Sequence, residues 1–219
     1  SEMCIRDRYQ SSTNLNATIG TDYSETPLML TGFTYNAGKS TASGTLSADG
    51  LVLKLYYDRN VYPYKFRFLV QGTTETKVAD PVTGSARYQA RVTQGAKEVP
   101  GYTLVLGTTN PQTIDIVAEE GNTAVNNVKI FYYVEDTVDI KYEVVGPDGC
   151  GTLDNYQNNT VKVVDGTPEG STPTASAGFK FVGWYKDKDC TQPVDEAWIE
   201  NNRITPQKTA DLGNGTMGY

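Results

Sequence analysis

The chain of 219 residues contains no histidine, so it lacks the side chain that most often acts as a general base near neutral pH or binds a metal. Catalysis by a Ser-His-Asp triad or a Cys-His pair is therefore excluded. The sequence also has no run of about 18 apolar residues, so it contains no candidate membrane-spanning helix. No signal segment, with basic residues followed by apolar ones, occurs at its start.

Basic side chains are too few to balance the acidic ones. The chain has 19 Lys and Arg residues against 26 Asp and Glu residues, which gives a net charge of −7. Such a surface repels phosphate backbones and anionic lipid headgroups. We therefore expect no nucleic-acid partner and no membrane insertion.

Cysteine is scarce as well, with only Cys4, Cys150 and Cys190. Cys150 and Cys190 belong to one C-terminal segment, and export to an oxidising compartment would allow them to form a disulfide. Sequence spacing does not show whether their Cα atoms approach to within about 7 Å. The sequence leaves both possibilities open, a bridge or two free thiols.

The acidic residues do not form a recognisable catalytic or metal site. Adjacent carboxylates such as Glu119 and Glu120 cannot face one substrate from opposed positions, as a hydrolytic pair must. Asp187 and Asp189 are interpreted in the same way, as residues of a solvated turn, because the dense alternating oxygen ligands of a calcium loop are missing. We predict no catalytic residue, no cofactor-binding residue, no metal ligand and no cofactor, and therefore no enzyme.

Glycine (21) and tyrosine (15) are abundant, with many Thr, Val and Asn residues, a composition that favours strands joined by tight turns. One local pattern occurs three times, at Thr31–Tyr35, Pro100–Leu104 and Ala177–Phe181. In each copy a turn residue and a glycine precede an aromatic-x-apolar alternation. This pattern predicts a turn that enters a half-buried strand.

Further strands are predicted from alternation and from apolar runs. Leu51–Tyr57 and Val128–Tyr133 are predicted as closing strands, and Tyr64–Val70 and Asp139–Val144 as opening strands. Helices are expected to be no longer than about three turns, with one turn near Trp198.

The segments between these strands, Asp58–Pro63 and Val134–Thr137, are predicted as short, semi-rigid linkers. The predicted core residues are Phe66, Phe68, Tyr102, Phe131, Phe179, Phe181 and Trp184, with Ile140, Tyr142 and Val144 facing inward.

The first residues are treated separately, because Glu2-Met3-Cys4-Ile5-Arg6-Asp7 resembles the translation of a transposase adapter used in preparing sequencing libraries. We therefore exclude residues 1–8 from the fold as a disordered artefact and expect the gene to be a metagenomic fragment.

The remaining chain is predicted to contain three domains. These are a truncated β repeat at residues 9–60, a complete β domain at 61–134 and a third repeat at 135–219. The third repeat is expected to lack its last strand, because its tail at 211–219 resembles a turn.

Two segments resemble known repeat families. Gly178–Val194 (GFKFVGWYKDKDCTQPV) resembles the Listeria-Bacteroides repeat, the B-repeat of internalin-type surface proteins. Ala96–Leu104 and Lys129–Tyr133 resemble the mucin-binding-protein repeat (MucBP) of Gram-positive adhesins, although Asp80–Gly84 fits that pattern only loosely. The resemblance implies a mainly β fold, with tandem small β-grasp-like domains and short or no helices. It also implies a place on the stalk of a secreted or cell-wall protein, and it carries no catalytic residue.

We therefore expect a non-catalytic stalk or adhesion segment at the bacterial cell surface, in contact with neighbouring repeats and binding host mucin or glycoprotein glycans weakly and multivalently. The alternative is an accessory repeat region of a secreted carbohydrate-active enzyme whose catalytic domain lies outside this fragment. The hypothetical ligand contacts are one ring from each of the pairs Tyr56-Tyr57 and Tyr132-Tyr133, the polar residues Asp58, Asn126 and Asn127, and the basic residues Lys54, Arg59, Lys65 and Arg67. A second buried sheet face or a domain junction is the favoured explanation of the paired tyrosines.

Overall fold

A computed structural model describes residues 18–213 and 215–219 of the chain. The predicted adapter segment and Cys4 lie outside the described residues. Within them the chain is mainly β, as predicted, and its only helical elements are two short 3₁₀ turns, at Ala37–Lys39 and Glu196–Trp198. The Asp195 carboxylate caps the second turn by accepting a hydrogen bond from Ala197 N (2.9 Å). No helix among the described residues is long and apolar enough to cross a membrane.

Eighteen strands follow one another along the described chain. The first nine are β1 Asp22–Ser24, β2 Phe33–Tyr35, β3 Ser43–Thr45, β4 Tyr57–Arg59, β5 Val61–Val70, β6 Lys77–Arg87, β7 Arg91–Gln94, β8 Tyr102–Leu104 and β9 Gln112–Asp115. The other nine are β10 Val128–Glu135, β11 Thr137–Lys141, β12 Gly151–Leu153, β13 Gln157–Lys162, β14 Pro173–Ala175, β15 Ile199–Glu200, β16 Arg203–Ile204, β17 Ala210–Gly213 and β18 Thr216–Gly218.

One sheet has four strands in the order β6-β5-β10-β8, and the other described sheets are two-stranded antiparallel pairs. The central strands β5 and β10 run parallel, because the bonds Lys65 N to Asn127 O (2.9 Å) and Gln71 N to Tyr133 O (2.8 Å) advance together along the chain. Strand β8 pairs antiparallel with β10, with Leu104 opposite Tyr133.

The chain divides into two compact units. The first consists of the residues up to Phe68, Ala79–Ala96 and Gly107–Phe131, and the second of Leu69–Val78, Lys97–Leu106 and Tyr132–Tyr219. The division into three domains made from the sequence stays a prediction.

The core of the first unit includes three of the predicted aromatic residues. Phe66, Phe68 and Phe131 are fully buried. The rings of Phe68 and Phe131 are stacked, with centroids 5.3 Å apart and planes within 5°. This offset ring packing adds to the free energy gained by removing apolar surface from water.

In the second unit, one core cluster consists of Tyr142, Leu153, Trp184, Val194 and Ile204, with Ile140 and Phe181 packed against it. Two predicted core residues are wrong: Phe179 and Val144 are 46% and 40% exposed. Val144 follows the end of β11, so the strand alternation that would have turned it inward does not extend to it. Tyr102 is half-buried.

The glycine of each repeated pattern forms the expected turn, since Gly32, Gly101 and Gly178 have φ of 81°, 76° and 86°. Strands β2 and β8 follow the first two turns. No strand follows the third, because residues 179–184 pair with no described strand. The next residue, Tyr185, forms a single isolated bridge with Pro193. The prediction of a strand there is wrong.

The predicted closing strand Leu51–Tyr57 is also wrong. Lys54 forms one isolated bridge with Thr41, and the regular strand is β4. The side chains do alternate in exposure, with Val52 and Lys54 outward, but before β4 begins at Tyr57 the only described backbone bridge in this segment is that of Lys54 with Thr41. Alternation alone does not make a strand when no neighbouring backbone completes the ladder.

Two further corrections concern connections. Only Asn60 separates β4 from β5 and only Asp136 separates β10 from β11, so strands occupy most of the two predicted linkers. The tail is not a loop but a hairpin of β17 and β18, in which Ala210 lies opposite Gly218.

Candidate binding surfaces

Glu119, one of the carboxylates considered as an acidic pair, stabilises its own loop. Glu119 Oε1 accepts hydrogen bonds from the backbone N–H groups of Asn127 (2.8 Å), Val125 (3.0 Å) and Asn126 (2.7 Å). Desolvation acts to raise the pKa of Glu119, but these hydrogen bonds outweigh it and hold that pKa below its usual range. Glu119 therefore stabilises the loop that leads into β10.

Asp187 has the same role in another turn. Its carboxylate accepts hydrogen bonds from Thr191 Oγ1 (2.8 Å) and from the backbone N–H of Gln192 (2.7 Å). The Thr191 hydroxyl is the main cause of the lowered pKa of Asp187. Among the described residues, no group of three or more His, Cys, Asp or Glu side chains could hold a metal ion.

Asn127 was predicted to contact a ligand, and this prediction is wrong, because the residue is fully buried. Its Nδ2 donates to Pro63 O (3.1 Å) and Val117 O (2.9 Å), and its Oδ1 accepts from Val117 N (2.9 Å). The amide thus pairs backbone groups that β5 and the chain after β9 would otherwise leave unsatisfied.

The other two polar candidates are held by contacts within the protein. Asn126 is exposed, but its Nδ2 donates to Glu119 Oε2 (3.0 Å). Asp58 accepts a hydrogen bond from the side chain of Asn36 and lies 3.9 Å from Lys39 Nζ. A ligand would have to compete with these contacts.

The predicted basic residues differ in exposure. Lys54 is exposed, whereas Lys65 and Arg67 are half-buried on β5. Arg59 is also half-buried, and its Nη1 donates to the carbonyl of Tyr88 (3.1 Å). Arg59 therefore has a structural contact of its own.

Each tyrosine pair has one ring in the core, as predicted from strand alternation. Tyr57 and Tyr133 are buried, and the hydroxyl of Tyr133 donates to Lys97 O (2.7 Å). Burial raises the pKa of Tyr133. Their neighbours Tyr56 and Tyr132 are half-buried, so each retains some accessible ring surface.

The second unit contains an open, largely apolar cavity of about 220 Å³. Four exposed apolar side chains line it: Val144, Val145, Phe179 and Val182. Cys150 and Cys190 also line it, and both have free thiols. Of the two possibilities left open by the sequence, a disulfide or two free thiols, the structure has the free thiols.

A second, polar cavity of about 490 Å³ lies beside the β15–β16 hairpin. It is lined by Trp198, Glu200, Asn201, Arg203, Thr205 and Gln207, among others. Sequence reasoning missed this site, because Trp198 was recognised only as part of a helical turn. The cluster of polar residues that follows Trp198 in the sequence was the available signal.

Comparisons with known proteins found similarity to an internalin. No family model and no solved structure matches the chain. The chain is similar to Internalin J of Listeria monocytogenes serotype 4b (strain F2365), with 25% identity over 207 residues. The alignment covers 88% of this chain and 21% of the relative, so the chain spans about a fifth of the length of the curated relative it matches.

Proposed function

We propose that the chain is a non-catalytic stalk and adhesion segment of a secreted or wall-anchored bacterial surface protein. The observation that carries the proposal is the similarity to Internalin J along 88% of a mainly β chain. The acidic residues that could suggest hydrolysis support the same view, because Glu119 and Asp187 are engaged by their own loops.

The junction after β10 supports a stalk role. Glu135, the last residue of β10, is buried, and its Oε1 accepts hydrogen bonds from Val164 N (2.8 Å) and Asp165 N (2.7 Å). Thr103 Oγ1 donates to the carboxylate of Asp136 (2.6 Å), the single residue between β10 and β11. These contacts restrict rotation at the junction, as a stiff extended segment requires.

The adhesive part of the proposal is weak binding to host mucin or glycoprotein glycans, made effective by many copies. The resemblance of Ala96–Leu104 to mucin-binding repeats motivates it, together with the accessible ring surface of Tyr132. Lys65 and Arg67 supply local positive charge on a chain whose net charge is −7. Such charge would attract sialylated or sulfated glycans, and salt would screen that attraction.

Retention of the chain, presented as an array, on immobilised mucin tests the adhesive role. We expect retention at low salt, a decrease as salt rises, and a decrease in a Lys65→Glu/Arg67→Glu variant. A Lys180→Glu/Lys188→Glu variant makes the same change of charge at exposed positions of the second unit and is the control. Absence of retention at low salt by a folded array would leave only the stalk role.

A further inference from the structure

The polar cavity beside the β15–β16 hairpin has the composition of a ligand site. Its volume, about 490 Å³, lies within the range of about 300–1,000 Å³ that is typical of small-molecule sites. Its walls come from the 3₁₀ turn at Glu196–Trp198, from both strands of the hairpin and from the chain after β16.

Trp198 supplies an apolar surface and an unused hydrogen-bond donor. The ring is half-buried against the core cluster, and Lys186 Nζ lies 5.8 Å from its centroid. Its indole N–H bonds to no described residue and is open to solvent. Trp184 differs, because its indole N–H donates to Asn202 O (2.8 Å).

The surrounding polar groups also have capacity left for a ligand. The side chains of Glu200 and Asn201 are exposed and form no hydrogen bond with any described residue. Gln207 donates through Nε2 to Thr205 O (3.0 Å), which leaves its Oε1 as an acceptor. Hydrogen-bond donors and acceptors with no partner in the described part of the protein therefore lie near one aromatic ring.

The charges in the cavity favour a neutral ligand. Arg203 Nη1 is paired with Asp154 Oδ2 at 2.8 Å, and its Nε and Nη2 donate to Glu169 O. Among the residues that line the cavity, this pairing leaves Glu200 as the one with a charge unpaired by any described residue, while the nearby Lys186 ammonium lies over the Trp198 ring. A negatively charged ligand would be repelled there, whereas hydroxyl groups could donate to the carboxylate.

We propose that the cavity formed by Trp198, Glu200, Asn201 and Gln207 binds neutral saccharides. A sugar ring combines hydroxyl groups, which match the free donors and acceptors, with an apolar face of C–H groups, which matches the indole surface. This inference deepens the adhesive role proposed above and rests on it for its biological meaning. The cavity is a different site from the basic residues on β5. Those residues would attract acidic glycans, whereas the cavity would repel them.

The two tryptophans allow a direct test, because they give two indole N–H signals in the NMR spectrum of the ¹⁵N-labelled full chain. Neutral hexoses and N-acetylhexosamines are titrated to about 50 mM, the range of weak single-site binding. We expect the Trp198 signal to shift saturably and the Trp184 signal to stay in place. N-acetylneuraminic acid, which carries a carboxylate, is expected to bind at least about tenfold more weakly.

Variants separate the contributions of the lining residues. Glu200→Ala is expected to weaken neutral-sugar binding about tenfold, and Glu200→Gln to remove the discrimination against the acidic sugar. Asn201 has φ 49°, so Asn201→Gly removes the amide while keeping a residue that adopts this conformation. Glu196→Gln, at an exposed acid of the adjacent turn that does not line the cavity, is the control and should bind like the unmodified chain.

Each outcome bears on one proposal. An unchanged Trp198 signal with every sugar overturns the saccharide site, even if arrays are retained on mucin. A saturable shift without retention of arrays on mucin or on surfaces bearing neutral glycans supports the site and overturns the adhesive role. Equal binding of the Glu200→Ala variant and the unmodified chain would also overturn the assignment.

Discussion

Two buried residues of this chain, one apolar and one polar, show how far the sequence predicts burial. Phe131 and Asn127 lie near each other in sequence, and both are fully buried. Phe131 stacks on another ring, whereas the side chain of Asn127 forms three hydrogen bonds with the backbone. The sequence predicted Phe131, because a large ring on an alternating strand belongs in a core. It did not predict Asn127, because the Pro63 carbonyl that Asn127 binds is 64 positions away in the chain.

Replacing Phe131 by Ala is expected to lower the free energy of unfolding by about 3–5 kcal/mol, since it removes a stacked ring and leaves a cavity. Phe179→Ala removes an equal volume at a position that is 46% exposed, and we expect a much smaller loss. Urea denaturation of both variants measures the difference. Equal losses, or a near-zero effect at Phe131, would place the Phe131 ring outside the core.

At the scale of elements, the repeated glycine-aromatic pattern shows what local sequence can determine. All three copies form their turn, because the glycine accepts a positive φ in any context. Strands form at the first two copies, where β4 pairs with β2 and β10 pairs with β8. At the third, Phe179 meets no partner strand, and no local pattern reports the absence of a neighbour.

The hairpin at the end of the chain was missed for a related reason. Strands β17 and β18 are short and carry no alternating apolar run, so the glycines between them were interpreted as a loop. The candidate site was missed as well, because the side chains around Trp198 converge only when β15 pairs with β16.

The loop network around Asp154 predicts a pH dependence of stability. The backbone N–H of Thr172 (2.6 Å) and then the ion pair with Arg203 (2.8 Å) lower the pKa of Asp154. A carboxyl whose folded-state pKa is lowered stabilises the fold above its unfolded pKa of about 3.9, and this contribution is lost as pH falls through the folded value.

We therefore expect Asp154→Asn to lower Tm at neutral pH and to reduce the loss of Tm between about pH 6 and pH 3. The loss does not vanish, because the pKa values of Asp115, Glu119 and Asp187 are also lowered. Calorimetry across this pH range makes the comparison, with Asp148→Asn, at an exposed turn residue, as the control. An unchanged pH profile in Asp154→Asn would contradict the role of this carboxylate.

At the scale of the whole molecule, the four-stranded sheet identifies a part of the chain that we expect to fold independently. Residues 61–134 include nearly the whole sheet β6-β5-β10-β8 and the rings of Phe66, Phe68 and Phe131. We expect a polypeptide of these residues to unfold cooperatively, with coincident transitions by far-UV and near-UV circular dichroism. An unfolded polypeptide beside a folded full chain would show that the predicted domain boundaries are wrong.

The parallel pairing of β5 with β10 has a mechanical consequence. The chain enters this sheet at Val61, the first residue of β5, and leaves it at Glu135, the last residue of β10. Tension between these two points slides the strands lengthwise past each other, so that it loads all their connecting hydrogen bonds at once. A hairpin pulled apart at its open end would instead break its bonds one after another. In the stalk and adhesion role proposed above, flow would put the chain under such tension, and this pair of strands would act as a clamp that resists shear.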